Sequence, residues 1–105
     1  MSGGQKRLLE FARVAIAKPR MVLLDEPQSG VTPVLADRMA EAIQQLNAAG
    51  ITILMIEHNL PFVERLCPRV LVMALGSTIA AGTMAELRTH ADVLDAYLGQ
   101  VTVNV

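Results

Sequence analysis

The chain has 105 residues, enough for one domain with a single core and too few for two. Nine basic and ten acidic residues leave a formal net charge of -1, and their even spread excludes a charge-driven binder of nucleic acid or of an anionic membrane. Hydrophobic residues make up 52% of the chain but aromatic residues only 3%, a mix that suits aliphatic parallel strands packed between helices.

Ser2 can cap a first helix, which carries Leu8, Leu9, Phe11, Ala12, Ala15 and Ile16 at helical spacing until Lys18-Pro19 stops it. Arg7, Arg13 and Lys18 fall on its polar side, where solvent is the expected neighbour. Met21-Val22-Leu23-Leu24 is a short apolar run that ends abruptly in Asp25-Glu26-Pro27, as a buried central strand does when it delivers polar residues to its carboxyl end. A turn at Gln28-Ser29-Gly30 leads to a helix from about residue 33 to 49, with Leu35, Met39, Ile43 and Leu46 on one stripe and Gly50 closing it.

Ile51 to Ile56 reads as a second apolar strand, ending in Glu57-His58-Asn59, and the strand-helix-strand order predicts a right-handed parallel crossover. A short helix near Pro61 to Leu66 precedes Val70-Leu71-Val72-Met73, and Gly76-Ser77 turns the chain back into Thr78 to Ala81 as an edge hairpin. Met84 to His90 and Val93 to Leu98 read as two surface helices, with His90 facing solvent and Val101 to Val105 frayed. The single cysteine, Cys67, has no internal disulfide partner and lies in an apolar stretch, so a small buried hydrophobe in a reducing compartment is its expected role. No run of residues resembles a secretory signal or a membrane span.

In an open α/β sheet, ligands sit at the carboxyl ends of the strands, which places Asp25-Glu26 and Glu57-His58 together as candidates. The first carboxylate of such a pair can hold Mg²⁺ and the second can orient or deprotonate water, while the plainer alternative is that both cap the next turn. Ser2-Gly3-Gly4-Gln5 lets the backbone approach an anion at a helix N-terminus, or else is no more than a helix cap.

Taken together, Met1-Ser2-Gly3-Gly4-Gln5, Leu23-Leu24-Asp25-Glu26-Pro27, Ser29-Gly30-Val31-Thr32-Pro33 and Ile56-Glu57-His58 resemble the ATP-binding-cassette family in identity, order and spacing. Gly30-Val31-Thr32-Pro33, Ile56-Glu57-His58-Asn59-Leu60, Ile79-Ala80-Ala81-Gly82-Thr83 and Val93 to Gly99 resemble the ATP-binding subunits of branched-chain amino acid importers over nearly the whole chain. The resemblance implies the C-terminal half of a P-loop NTPase-like (RecA-like) ATPase domain over residues 1–105, with residues 84–105 as its helical tail.

The same resemblance implies a role for each matching residue. Ser2, Gly3, Gly4 and Gln5 correspond to the signature loop, which meets the γ-phosphate of ATP held by the opposite subunit of a head-to-tail dimer. Asp25 corresponds to the residue that holds Mg²⁺ through water, Glu26 to the catalytic base and His58 to the switch histidine. Ser29, Gly30 and Thr32 fall in the loop that links the two ATP sites; many family members carry Asp or Asn where Thr32 stands. Glu57 reads as a polar residue at a strand end.

ATP and Mg²⁺ are the implied cofactors. A second ATPase subunit and membrane permease subunits are the implied partners, on the inner face of the plasma membrane, and no nucleic acid is expected. No Gly-x-x-x-x-Gly-Lys-Ser/Thr loop occurs in the chain. The sequence is therefore expected to be a truncated or misannotated piece, inactive alone and poorly soluble because one flank of its sheet lacks neighbours. The alternatives are a nucleic-acid-processing relative and a non-catalytic piece that offers only its signature face.

Overall fold

A computed structural model describes residues 3–91 and divides into two compact units, Met1–Leu66 and Cys67–Val105. Ser2 and the segment Val93 to Gly99 lie outside the described residues.

The first unit is built from α1 (Gly3–Ala17), β1 (Met21–Asp25), α2 (Pro33–Ala48), β2 (Thr52–Ile56) and α3 (Leu60–Leu66). β1 and β2 pair in parallel, from Met21 opposite Thr52 to Asp25 opposite Ile56, so both strands end at the same edge. The crossover expected from the sequence is α2. Its stripe places Met39, Ala40, Ile43 and Leu46 in the core with Phe11 of α1, Ile51 and Phe62 of α3; Met39 is fully buried. Burying an aliphatic side chain of this size contributes roughly 2 kcal/mol, which makes α2 the principal anchor of the unit.

Helix ends are set by local chemistry. Pro33 at the first turn of α2 has no N–H to leave unpaired, and the Thr32 hydroxyl accepts a hydrogen bond from Leu35 N at 3.3 Å. At the other end Gly50 takes φ 97°, Ile51 N donates to Leu46 O and Gly50 N donates to Asn47 O, while buried Leu46 and Ile51 cover the turn. This is a Schellman arrangement, and only glycine enters that backbone region without steric cost.

The uninterrupted apolar runs of β1 and β2 suggest strands buried on both faces. One face is covered: Val22, Leu24, Ile53 and Met55 pack against the helical core. The alternate residues Met21, Leu23, Leu54 and Ile56 are exposed, Leu23 at 69% and Ile56 at 64%. Period-two alternation therefore leaves an open aliphatic face on this sheet.

The second unit holds β3 (Val70–Ala74), β4 (Ser77–Gly82) and α4 (Met84–Leu87). The expected hairpin forms a two-stranded sheet of its own, with Ala74 opposite Ser77. The turn sits one residue earlier than Gly76-Ser77 because the two central positions, Leu75 at φ 51° and Gly76 at φ 78°, are both left-handed, as a two-residue hairpin loop requires. A register shift at Val72/Met73 marks a bulge. The helix expected over Met84 to His90 is shorter than its sequence pattern. Thr83 caps it through Glu86 N, it ends at Leu87, and exposed His90 closes the following turn by donating from its N–H to Leu87 O.

Candidate active site at the carboxyl ends of β1 and β2

Parallel pairing delivers two polar segments to one edge. Asp25, the last residue of β1, is exposed there. Glu26 leaves the strand with φ 45°, a left-handed conformation that costs a non-glycine residue about 1–2 kcal/mol, and its N–H is held by Ile56 O at 2.7 Å. The kink turns the Glu26 side chain toward the segment after β2. His58 Nδ1 lies 2.7 Å from Glu26 Oε1, with both side chains open to solvent. At this separation the imidazole and the carboxylate are in direct contact. The structure thus brings Glu26 and His58 together across 32 positions of chain.

Glu57 takes a place that its sequence context does not reveal. Its side chain is fully buried, and Oε1 accepts from His58 N at 3.0 Å, Asn59 N at 3.3 Å and Gln28 Nε2 at 3.3 Å. Asn59 in turn accepts from Phe62 N at 3.1 Å and so starts α3.

The start of α1 meets the segment that follows Glu26. Gly4 is buried, and a Cβ placed there would fall 2.4 Å from Leu35 Cδ1 and 3.6 Å from Val31 Cγ1. Glycine at this position lets the helix approach α2. Gly3 has open space around it, so the two neighbouring glycines differ in kind: one permits packing and the other leaves a surface free.

Arg7 is expected to point into solvent from its helical position. It is half-buried instead, and its Nη1 donates to Pro27 O at 2.9 Å and to Ser29 O at 2.5 Å. Ser29 N reaches back to Glu26 O, Gly30 has φ 74°, and Thr32 caps α2. Ser29, Gly30 and Thr32 therefore occupy one short loop pinned to α1. No periodicity signals this use of Arg7, because its acceptors are backbone carbonyls that any sequence supplies. Gln5 is exposed in the first turn of α1.

An Mg²⁺ ion commonly takes one or two protein carboxylates and completes its shell with water and phosphate oxygens. Asp25 fits such a role as a single exposed strand-end carboxylate, and among the described residues no cluster of three or more His, Cys, Asp or Glu side chains could hold an ion unaided. An open apolar groove of about 710 Å³ lies at the opposite end of the strands, lined by Leu8, Phe11, Arg20, Leu46 and Gly50, and has no part in this chemistry. Burial pushes the Cys67 thiol pKa up, which suits the inert role expected of it.

The ABC transporter family profile matches residues 1–29. Over 99 residues the chain is 37% identical to the high-affinity branched-chain amino acid transport ATP-binding protein BraG of Pseudomonas aeruginosa, covering 94% of this chain and 42% of that protein. It is 38% identical over 99 residues to the probable branched-chain amino acid transport ATP-binding protein LivG of Archaeoglobus fulgidus, covering 94% of this chain and 38% of the relative. The structure superposes on the ADP conformation of MJ1267, an ATP-binding cassette of an ABC transporter, with a TM-score of 0.80 and 36% identity over 95% of this chain and 41% of that one. The chain belongs to the ABC transporter ATPase family. This ABC ATPase chain spans about two-fifths of the length of the curated relatives it matches. No helix among its described residues is long and apolar enough to cross a membrane.

Proposed function

We propose that the chain serves in the ATP-binding subunit of an ABC transporter that couples ATP hydrolysis to uptake of branched-chain or other small amino acids. The observation that carries this reading is the 2.7 Å contact between Glu26 and His58 at the strand edge that also bears Asp25. Asp25 would hold Mg²⁺, which would supply charge neutralisation at the phosphates of bound ATP. Glu26 accepts a proton from the attacking water as the new oxygen–phosphorus bond forms and the bond to the β-phosphate breaks, while His58 is held against Glu26 beside the γ-phosphate. Ser2, Gly3, Gly4 and Gln5 face the γ-phosphate of ATP on the opposite subunit, and Ser29, Gly30 and Thr32 connect the two sites.

A Gly-Lys-Ser/Thr loop is not among these residues, so turnover belongs to an assembly in which another segment or subunit cradles the phosphates. The partners are a second ATPase subunit in a head-to-tail dimer and membrane permease subunits, which place the protein on the inner membrane face. The names of the relatives favour amino acid transport over nucleic-acid processing.

The test is ATP turnover and leucine uptake by the assembled transporter in proteoliposomes. Glu26→Gln is expected to lower turnover about a hundredfold or more, the range associated with loss of a general base. Turnover unchanged by Glu26→Gln would overturn the reading.

A further inference from the structure

We propose that Glu57 is a positioning residue, whose buried carboxylate clips the loop after β1 to the loop after β2 and so sets the Glu26–His58 contact. The inference rests on the catalytic reading given above.

Three observations lead to it. First, Glu57 Oε1 gathers donors from both loops: His58 N and Asn59 N on its own side, and Gln28 Nε2 from a position 29 residues earlier in the chain. A strand-end polar residue that only capped its own turn would have no need of the third donor. Second, the side chain is fully buried although the residue stands at the end of a strand, and Oε2 is a buried oxygen with no hydrogen-bond partner. An unpaired buried polar atom costs about 1–3 kcal/mol, and a shorter side chain could cap two successive amides without it. Third, the groups that the clip joins flank the reacting pair. Gln28 follows Glu26 by two residues, His58 follows Glu57 directly, and His58 Nδ1 stands 2.7 Å from Glu26 and 3.7 Å from Glu57.

The physical consequence concerns alignment. Glu26 and His58 are both substantially exposed, at 45% and 67%, so their side chains alone do little to fix each other. What fixes them is the backbone on which each is mounted. On the Glu26 side, the N–H of that residue is held by Ile56 O and the downstream loop by Gln28; on the His58 side, the amide N–H of His58 itself is held by Glu57. Without the carboxylate, the two loops share the strand pairing but lose their side-chain tie. Misplacement of a catalytic group by about an ångström can lower a rate by up to a hundredfold.

The experiment is steady-state ATP hydrolysis by the assembled transporter with Glu57→Ala, Glu57→Gln and Gln28→Ala, each in the wild-type and in the His58→Ala background. Glu57→Ala is expected to lower kcat about tenfold or more with KM for ATP moved less than about twofold. Glu57→Gln keeps an acceptor oxygen for all three donors and restores most of the lost kcat. In the His58→Ala background, Glu57→Ala adds little further loss, because its effect runs through His58. Gln28→Ala removes only the far donor and leaves the local turn, so a smaller drop of the same kind is expected even where Glu57→Ala folds poorly. Full kcat in Glu57→Ala, or an equal loss in both backgrounds, would overturn the proposal while leaving Glu26-dependent turnover intact. Turnover that ignores Glu26→Gln instead overturns the catalytic reading, and this inference falls with it.

Discussion

Gly4→Ala tests whether the glycine at this position is present for packing. The substituted Cβ would stand 2.4 Å from Leu35 Cδ1, 3.5 Å from Leu35 Cγ and 3.6 Å from Val31 Cγ1. Only the terminal methyl is too close, and it can be moved by rotating the Leu35 side chain, at about 0.5–1.5 kcal/mol for an off-rotamer position and up to about 3 kcal/mol if the contact to α2 is also lost. Against that, alanine in a helix gains about 0.5–1 kcal/mol over glycine. The difference places Gly4→Ala between a gain of about 0.5 kcal/mol and a loss of about 2.5 kcal/mol, a range that spans zero, so the single variant does not decide. The decisive measurement is the double-mutant cycle with Leu35→Ala, followed by urea unfolding of the purified chain. With the leucine methyls gone, the alanine at position 4 finds space and only the helix-propensity gain remains, so Gly4→Ala should be neutral or stabilising by up to about 1 kcal/mol in the Leu35→Ala background. Additivity within about 0.3 kcal/mol would refute the packing argument, because it would mean that the position 4 methyl never meets Leu35.

The remaining predictions concern the loop and the thiol. Arg7→Ala removes the donor shared by Pro27 O and Ser29 O; amide exchange in residues 28–31 should accelerate, and Arg7→Lys should restore only part of the protection because ammonium lacks the planar fork. Unaltered exchange would show that the loop holds itself. Thr32→Ala deletes the cap on Leu35 N and should lower stability by about 1 kcal/mol in thermal unfolding, with Thr32→Asp close to wild type; equal melting of all three chains would contradict the cap. Burial raises the Cys67 thiol pKa, so the folded chain keeps its proton when the unfolded chain has lost it. Stability linked to this group is present at neutral pH and declines as pH rises past the ordinary thiol range near about 8.5. Iodoacetamide should modify Cys67 more slowly in buffer than in urea at the same pH, and equal rates would exclude the shift.

Much of the fold was legible because its signals are local. The stripe of Met39, Ile43 and Leu46, the stop at Gly50 and the two short aliphatic runs each follow from a period or a breaker, and each is found where the pattern puts it. The turn of the hairpin moved by one residue because Leu75 accepts a left-handed backbone that its side chain gives no reason to expect. The strands also misled in one respect: an unbroken aliphatic run looks the same whether one face or both are covered, and here Leu23 and Ile56 face outward. At the site, Glu26 and His58 could be paired from their position at parallel strand ends. Arg7 and Glu57 could not be read, since their bonds run mainly to backbone groups or cross between loops, and neither leaves a spacing in the sequence. Thr32 lies between these cases. It departs from the Asp or Asn of many family members, yet its hydroxyl performs the capping that those side chains would also supply.

These contacts join two regions that the sequence presents as separate motifs. Gly4 packs on Val31 and Leu35, Arg7 holds Pro27 and Ser29, and the segment so gripped begins at Glu26, whose own amide is fixed to β2. The start of α1 and the end of β1 are therefore mounted on one another through side chains as well as through the core. In the head-to-tail arrangement proposed above, the first of these faces ATP held by the opposite subunit and the second faces ATP in its own. On that proposal, a shift of α1 on closure over one nucleotide would be passed to Glu26 through a loop whose free length is only a few residues. A Gly-Ser pair inserted after Gly30, which separates Val31 and Leu35 from Glu26, combined with Arg7→Ala, which releases Pro27 O and Ser29 O, should break the transmission while leaving Asp25, Glu26 and His58 in place. Turnover would persist at a reduced rate while cooperativity in ATP falls toward a Hill coefficient of about 1, and retention of full cooperativity would locate the coupling elsewhere.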